Sequence, residues 1–262
     1  MARGNVTSRE PFAGWTWQQW IRRAPRLSTA SCSAGRRRTY RLGEAGAYTM
    51  LRLDGDEVCA LTELGLERRQ QGIAPHCSSY VSVEDANVTV ARARELGATV
   101  DGDAFDVFDA GRMAVIQDPA GAVFAIWQPG VHVGARRVND PGCLTWNELQ
   151  TRDPEAAIDF YSGLFDWEME PIEEGGKLAY VVIKNAGSSN GGIMPMTEQH
   201  GDAPSHWLAY FTVTSCEEAV ARLRELGGGM LAGLLDFPAG RIAVVHDPQG
   251  AVFALFEGET DD

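Results

Sequence analysis

Two short runs of the sequence place a histidine and a tyrosine four residues apart in an otherwise largely apolar stretch. They read HCSSYVSV from His76 and HWLAYFTV from His206. Because successive side chains of a β-strand point to opposite faces, His76 and Tyr80 share one strand face, and so do His206 and Tyr210. An imidazole beside a phenol can bind a polar group of a ligand or exchange a proton with it.

A third run, LTWNELQ, adds a carboxylate to this pattern. Alternation puts Trp146, Glu148 and Gln150 on one strand face. An inward carboxylate is costly unless it is paired or used, so Glu148 with His206 and Tyr210 predicts the polar floor of a pocket. The predicted ligand-binding residues are Trp146, Glu148, His206, Tyr210, His76 and Tyr80.

The same residues allow a plainer interpretation. His76 and His206 can sit at strand starts as solvated or capped residues, with no ligand to bind. No phosphate-loop or GxGxxG motif occurs in the chain. The catalytic residues are therefore unknown, and whether the chain is an enzyme stays open.

An internal repeat shows which elements position these residues. The segments 110–127 and 239–256 are identical at twelve of eighteen positions, and each contains an Asp-Pro-x-Gly turn between two apolar runs. This pattern predicts a β-hairpin in each copy of a duplicated module. The two histidine runs fall at a similar offset, so we define the first copy as residues 76–128 and the second copy as residues 206–257.

A helix is predicted after each histidine run. Asp85 and Ser215 are suitable N-caps, and Gly97 and Gly227 end the two helices. Upstream of the second copy, a strand at 144–150 precedes a further helix that opens with Asp-Pro-Glu at 153–155. Residues 143–258 therefore predict two β-α-β-β-β units, with about eight strands and two helices.

These motifs carry a family resemblance. The paired β-α-β-β-β units, the two DPxG hairpins and the string DPEAAIDFYSGLFDWE at 153–168 resemble the vicinal oxygen chelate superfamily, which includes glyoxalases, bleomycin-resistance proteins and extradiol dioxygenases. The two-domain layout is similar to actinobacterial glyoxalase-like proteins. The resemblance implies an α+β fold of two tandem domains, each a curled, barrel-like sheet of paired β-α-β-β-β units.

The resemblance and the composition together suggest domain boundaries. We expect a tail at 1–14, a first glyoxalase-like domain at 15–130, a linker at 131–142 that is rich in turn residues, a second such domain at 143–258, and a tail at 259–262.

Metal chemistry in this family needs histidines and carboxylates that face into the barrel. Carried over by register, the usual ligand positions fall on Ser78, Ala125, Trp146, Leu208 and Ala254. These side chains do not supply that ligand set, so we expect no metal site and no cofactor. A divalent Zn, Ni, Fe or Mn ion belongs only to the alternative function given below.

The first forty residues break the repeat. Residues 15–38 read WTWQQWIRRAPRLSTASCSAGRRR where a strand and an Asp-Pro-Glu helix are expected, so the first domain is predicted to be incomplete. A divergent or disordered arm and a basic nucleic-acid or membrane arm are two interpretations. A third is a shifted reading frame, because a frame that starts at the third base of the Trp15 codon can encode DLATVDPEGAKAFYGKLFGWE. We hypothesise that residues 15–38 are such an out-of-frame reading.

Charge and cysteine usage limit the partners. The net charge is −13, and the residues after 43 carry 14 basic and 35 acidic side chains, which argues against nucleic-acid and anionic-membrane partners. No signal peptide or membrane span is visible, and five cysteines without a CxxC pair suggest reduced thiols and a cytoplasmic location. We expect a monomer with an internal pseudo-dimer, or a weak homodimer.

The expected function is that of a small-molecule-binding protein of the glyoxalase/bleomycin-resistance type, without the usual metal site. The alternative is a glyoxalase-type lyase or isomerase acting on a 2-oxoaldehyde adduct. A further alternative is a damaged reading that has no function in this form.

Overall fold

The computed structural model describes residues 37–41 and 47–260, which form an α+β fold, as predicted. Its helices are α1 (Leu66–Gln70), α2 (Ala86–Glu95), α3 (Pro154–Phe165) and α4 (Cys216–Glu225), with a 3-10 helix at Glu198–His200. Its strands are β1 (Arg37–Arg41), β2 (Ala47–Leu53), β3 (Asp56–Thr62), β4 (Tyr80–Ser82), β5 (Thr99–Val100), β6 (Phe105–Val107), β7 (Gly111–Gln117), β8 (Val123–Pro129), β9 (Leu144–Thr151), β10 (Glu168–Glu174), β11 (Lys177–Asn185), β12 (Ser188–Pro195), β13 (His206–Thr212), β14 (Gly229–Phe237), β15 (Gly240–His246) and β16 (Val252–Gly258).

The C-terminal half forms one eight-stranded sheet with the strand order β10-β11-β12-β9-β13-β16-β15-β14. It contains two β-α-β-β-β units, β9-α3-β10-β11-β12 and β13-α4-β14-β15-β16. The antiparallel pair β9/β13 joins them, and each unit returns its last strand parallel to its first.

The predicted caps begin the helices. Asp85 accepts hydrogen bonds from the backbone N–H of Asn87 at 2.8 Å and of Val88 at 3.0 Å. Asp153 caps α3 from one residue before Pro154, and Ser215 caps α4. Each cap satisfies N–H groups that have no partner inside the helix.

The N-terminal half forms two separate sheets. One has the order β1-β2-β3, and the other has β4-β8-β7-β5 with β6 also paired to β7. The second of these repeats the order of β13, β16, β15 and β14. The out-of-frame hypothesis concerns residues 15–38, all of which except Arg37 and Arg38 lie outside the described residues.

The two halves share two hydrophobic cores. Core A combines α2, β7 and β8 with β9, α3, β11 and β12; its buried members are Ala86, Val90, Ala93, Ala104, Ala114, Ile116, Ala122, Phe124, Ile126, Leu149, Ala157, Phe160, Tyr161, Trp167, Val181, Ile183, Ile193 and Trp207. Core B combines β2 and β3 with α4, β13, β15 and β16; its buried members are Leu51, Val58, Leu61, Cys143, Ala209, Phe211, Val213, Cys216, Ala219, Val220, Leu223, Ala243, Val245, Phe253 and Leu255.

The segment between the two halves, residues 131–142, contains no helix or strand. It is nevertheless fixed to β3, because the His132 ring lies 3.0 Å from the Glu57 carboxylate and the Arg136 N–H donates to the Glu57 carbonyl oxygen at 2.7 Å. None of the helices formed by the described residues has the length and hydropathy needed to cross a lipid bilayer.

Candidate functional site

The candidate site lies on the face of the C-terminal sheet that is opposite to α3 and α4, which we call the inner face. Leu149 points to the helix side and belongs to core A, so its neighbour Glu148 points to the inner face. Leu208 pairs with Glu148 across β9 and β13, and it forms an inner-face apolar cluster with Tyr210 and Ala254. The strand alternation therefore places Glu148 beside an apolar surface.

Glu148 is 6% exposed and receives three hydrogen bonds from side chains. Its Oε1 accepts from the Tyr210 hydroxyl and from Gln150 Nε2, both at 3.0 Å. Its Oε2 accepts from the Tyr180 hydroxyl at 3.0 Å, and that hydroxyl in turn accepts from Trp146 Nε1 at 3.0 Å. These hydrogen bonds offset the free-energy cost of removing the carboxylate from water.

Tyr180 was not among the residues predicted from sequence. It lies on β11, and β12 separates it from Glu148. Its ring crosses β12 at Gly192, where a Cβ would overlap the Tyr180 hydroxyl, and Gly192 is the residue that pairs with Glu148. The glycine therefore gives the phenol its path to the carboxylate. The Gly191-Gly192 pair inside a strand was the available sequence signal, since such glycines often mark a close approach.

The two phenols act as hydrogen-bond donors. Burial first, and then the adjacent Glu148 charge, raise the pKa of both Tyr180 and Tyr210 well above the usual value. A raised pKa keeps both hydroxyls protonated at neutral pH. The site is therefore a carboxylate acceptor held by neutral donors.

The two predicted histidines lie apart from this hydrogen-bond network. His206 begins β13, and its Nδ1 lies 2.9 Å from the Pro204 carbonyl oxygen. His76 Nδ1 lies 2.8 Å from the Ala74 carbonyl oxygen. The His206 geometry fits the interpretation of a capped residue at a strand start, whereas His76 lies four residues before β4, which begins at Tyr80. In the first copy Tyr80 is 44% exposed, whereas its counterpart Tyr210 is 6% exposed.

Four of the five positions that the resemblance assigns to metal ligands carry apolar side chains, and the fifth is Ser78. Trp146, Leu208 and Ala254 belong to the inner-face apolar cluster. Among the described residues, no group of three or more His, Cys, Asp or Glu side chains is arranged to hold a metal ion. At this site Glu148 is the only carboxylate among the described residues, and it already accepts three hydrogen bonds, so the described residues do not fit the family's metal.

A separate cavity of about 540 Å³ lies at the β14–β15 turn, lined by residues 236–241 and 257–259. None of the predicted ligand-binding residues lines it.

The sequence of this chain is similar to a known protein family and to individual proteins of two bacteria. The family model described as "Glyoxalase/Bleomycin resistance protein/Dioxygenase superfamily" matches residues 143–255. The Mycobacterium tuberculosis protein named "Putative glyoxylase CFP32" is 36% identical over 218 residues, which are 82% of this chain and 82% of that protein. The "Anthracycline biosynthesis protein DnrV" of Streptomyces peucetius is 33% identical over 223 residues, which are 81% of this chain and 80% of that protein.

Solved structures share the fold at low sequence identity. The Mn(II)-bound glyoxalase from Novosphingobium aromaticivorans superposes with a TM-score of 0.58 at 13% identity, covering 86% of this chain and 75% of that one. The 2,3-dioxygenase LapB from Pseudomonas sp. KL28 superposes with a TM-score of 0.54 at 14% identity, covering 82% of each chain.

Proposed function

Because this chain belongs to the glyoxalase/bleomycin resistance protein/dioxygenase superfamily, we propose that it binds a small molecule on the inner face of its C-terminal sheet, beside Glu148. One observation carries this proposal. A buried carboxylate is held by donors from β9, β11 and β13 next to an apolar cluster. Ligand sites commonly combine an apolar lining with a few well-placed polar groups.

The free hydrogen-bonding capacity of the site indicates the chemistry of the ligand. Within the described part of the chain, Glu148 Oε2 accepts from Tyr180 alone, and a carboxylate oxygen can accept two hydrogen bonds. A ligand hydroxyl suits that position, while Trp146, Leu208 and Phe256 offer apolar surface. The relative named for anthracycline biosynthesis supports a hydroxylated aromatic ligand, since anthracyclines are planar fused-ring compounds with phenolic hydroxyls.

We propose that binding needs no metal ion. The support is the set of side chains at the family's ligand positions, where Trp146, Leu208 and Ala254 provide no suitable donor atoms. Recognition then depends on hydrogen bonds to Glu148 and on apolar contact.

The test is a titration with two probes that differ only in their hydroxyls, 1,4-dihydroxyanthraquinone and anthraquinone, followed by quenching of tryptophan fluorescence. We expect the dihydroxy probe to bind the wild type more tightly, and the Glu148→Gln variant to lose about tenfold or more of that affinity, because a charged acceptor is replaced by a neutral amide. The exposed Glu225→Gln variant is the matched control. Equal affinity in wild type and a folded Glu148→Gln variant would contradict the proposal.

A second candidate is a glyoxalase-type lyase or isomerase acting on a 2-oxoaldehyde adduct. It is favoured by the name of the mycobacterial relative and by the solved Mn(II)-bound glyoxalase. Metal analysis of the purified protein, together with an absorbance assay on the glutathione–methylglyoxal adduct, separates the two candidates. Stoichiometric Zn, Ni, Fe or Mn with turnover of the adduct favours the enzyme.

We also propose a reducing compartment such as the cytoplasm, with the chain a monomer or a weak homodimer. The support for the reducing compartment is that Cys59, Cys77 and Cys216 form no disulfide within the described part of the chain.

A further inference from the structure

Strand β14 forms one edge of the C-terminal sheet, and it exposes large apolar side chains. Among the described residues, no strand pairs with its outer side. Its exposed apolar side chains, which we call the β14 patch, are Leu231 (60% exposed), Leu234 (39%), Leu235 (46%) and Phe237 (51%). Neighbouring exposed apolar side chains of this kind often mark a surface that another molecule covers.

The opposite edge of the same sheet has a different character. That edge is β10, and its sequence EMEPIEE carries four glutamates. Charged side chains on an edge strand discourage contact with another chain. In β14 the acidic residue is Asp236, and it forms an ion pair with Arg241 at 2.6 Å. Only the β10 edge is therefore protected by uncompensated acidic charge of this density.

The internal repeat shows that the fold does not require an apolar edge at β14. The hairpin registers of the two copies align β14 with residues 99–107. In this alignment the exposed Asp101 takes the place of Leu231, and the buried Ala104 takes the place of Leu234. The same module therefore folds with a charged residue at this edge, so the two leucines need another reason.

Two β-bulges limit the kind of contact that β14 can make. Its pairing with β15 shifts register between Met230 and Ala232, and again between Ala232 and Leu235. Bulges interrupt the regular row of backbone groups on an edge and so oppose the open-ended addition of strands. Contact through side chains about a closed symmetry axis remains possible.

We propose that the β14 patch is the contact between two copies of this chain, related by a two-fold axis beside Leu234. Symmetry then sets the two β14 strands antiparallel, with the two Leu234 side chains next to each other. It also places Leu231 beside the partner's Phe237. The cavity of about 540 Å³ at the β14–β15 turn is lined in part by Phe237, so it lies where the partner's Leu231 can enter it.

Charge supports a second copy as the occupant. The net charge of the chain is −13, so two copies repel each other unless their contact keeps acidic groups apart. About the proposed axis, each Asp236 lies opposite the partner's Ala232. The two Asp236 residues are then separated by roughly 13 Å along the strands, which exceeds the Debye length of about 8 Å at physiological salt. This inference does not depend on the proposed ligand, because the hydrogen bonds to Glu148 come from β9, β11 and β13.

The test is sedimentation velocity of the full chain at concentrations from about 1 to 200 µM, which span a weak association. We expect a monomer–dimer equilibrium with a dissociation constant on the order of 10 µM, as suits a small interface. Raising the NaCl concentration to about 0.5 M should favour the dimer, because salt screens the repulsion between acidic copies.

Two charge variants locate the contact. Leu234→Asp places two carboxylates beside each other at the axis, and it should raise the dissociation constant about tenfold or more. Leu231→Asp introduces the residue type that the first copy carries at this place, and it should weaken the dimer in the same direction. Val88→Asp is the matched control, because Val88 is 66% exposed on α2 and the change adds the same charge. It should alter the dissociation constant by less than about twofold.

A cysteine variant gives a second measurement that needs no added charge. Residues that face each other on antiparallel strands have the Cα separation that a disulfide needs. Treated with diamide, Leu234→Cys should therefore form a linked dimer far faster than Val88→Cys, with the wild type giving the background. A chain that stays monomeric at all these concentrations would overturn the proposal. So would a dimer that a folded Leu234→Asp variant weakens no more than Val88→Asp does.

Discussion

At the scale of single residues, the inner face depends on one glycine as much as on its polar groups. Tyr180 reaches Glu148 only because Gly192 has no side chain in its path. Trp146 then fixes the phenol from the other side by donating to its oxygen. The direction of each hydrogen bond is therefore set, and the carboxylate presents its remaining capacity to the inner face.

We predict that Gly192→Ala displaces the Tyr180 ring and removes its hydrogen bond to Glu148. The variant should lose about 1–3 kcal/mol of stability through overpacking, and it should bind the dihydroxy probe more weakly. The matched control is Gly233→Ala on β14, where a Cβ would meet only Met230 Cε at 3.6 Å, an ordinary contact. Chemical denaturation and the probe titration measure both effects. A folded Gly192→Ala variant with unchanged affinity would remove Tyr180 from the site.

Sequence reasoning identified part of this arrangement. Alternation along single strands was enough to put Glu148 and Tyr210 on one face, and the structure joins them by a hydrogen bond. It could not find Tyr180, because strand order determines which residues of β11 come near β9. It also could not tell whether His206 faces a ligand or caps its strand, since either role fits the same spacing.

At the scale of elements, the two DPxG hairpins make a natural comparison. Their aspartates accept the same kind of backbone hydrogen bonds, but from the described residues only Asp118 also receives a side-chain hydroxyl, that of Tyr161. Burial raises the pKa of both carboxylates. The sequence predicts identical turns, and the difference arises from what packs on each.

We predict that Asp118→Asn and Asp247→Asn differ in their effect on stability. Asp118→Asn should cost about 1–3 kcal/mol, because the Tyr161 hydroxyl already accepts from Trp207 and loses the acceptor for its proton. Asp247→Asn should cost less, since it removes a buried charge whose Oδ2 has no partner among the described residues. Urea denaturation of the two variants checks the order. A larger loss for Asp247→Asn would show that its Oδ2 is satisfied in solution.

The attachment of residues 131–142 to β3 should weaken in acid. Burial alone would raise the pKa of Glu57, but the Arg52 hydrogen bond and the positive charges of His132 and Arg52 outweigh it, so the pKa is lowered. A carboxyl with a lowered folded pKa stabilises above its unfolded value of about 4.3, and the stabilisation is lost as the pH falls through the folded pKa. Glu57→Gln should therefore melt below the wild type at pH 7, and the difference should disappear toward pH 3. A constant difference across that range would contradict the assignment.

At the scale of the whole molecule, the sequence predicted the fold class from repeats and caps, and the α+β fold is confirmed. The split of the N-terminal sheet follows from the absence of a strand between β3 and β4 among the described residues. Composition could not show how the halves share their cores, because that depends on contacts between residues far apart in the chain.

We predict that the natural protein contains the shifted reading in place of residues 15–38. Intact mass and a tryptic map of the protein from its source organism check this directly. Tryptic cleavage of the chain as written would release Leu27–Arg36 as one peptide. Detection of that peptide would refute the shifted reading and make the arginine-rich arm a genuine part of the protein.

Cores A and B each combine residues from both halves of the chain, and this has a genetic consequence. After the duplication, neither half kept a complete interior of its own. A lesion in the coding sequence of β2 or β3 would therefore also remove support from α4, which lies in the other half. Selection would therefore act on the two halves together. Splitting the gene near residues 131–142 would be selected against even if both products were made, because each product would lack part of both cores.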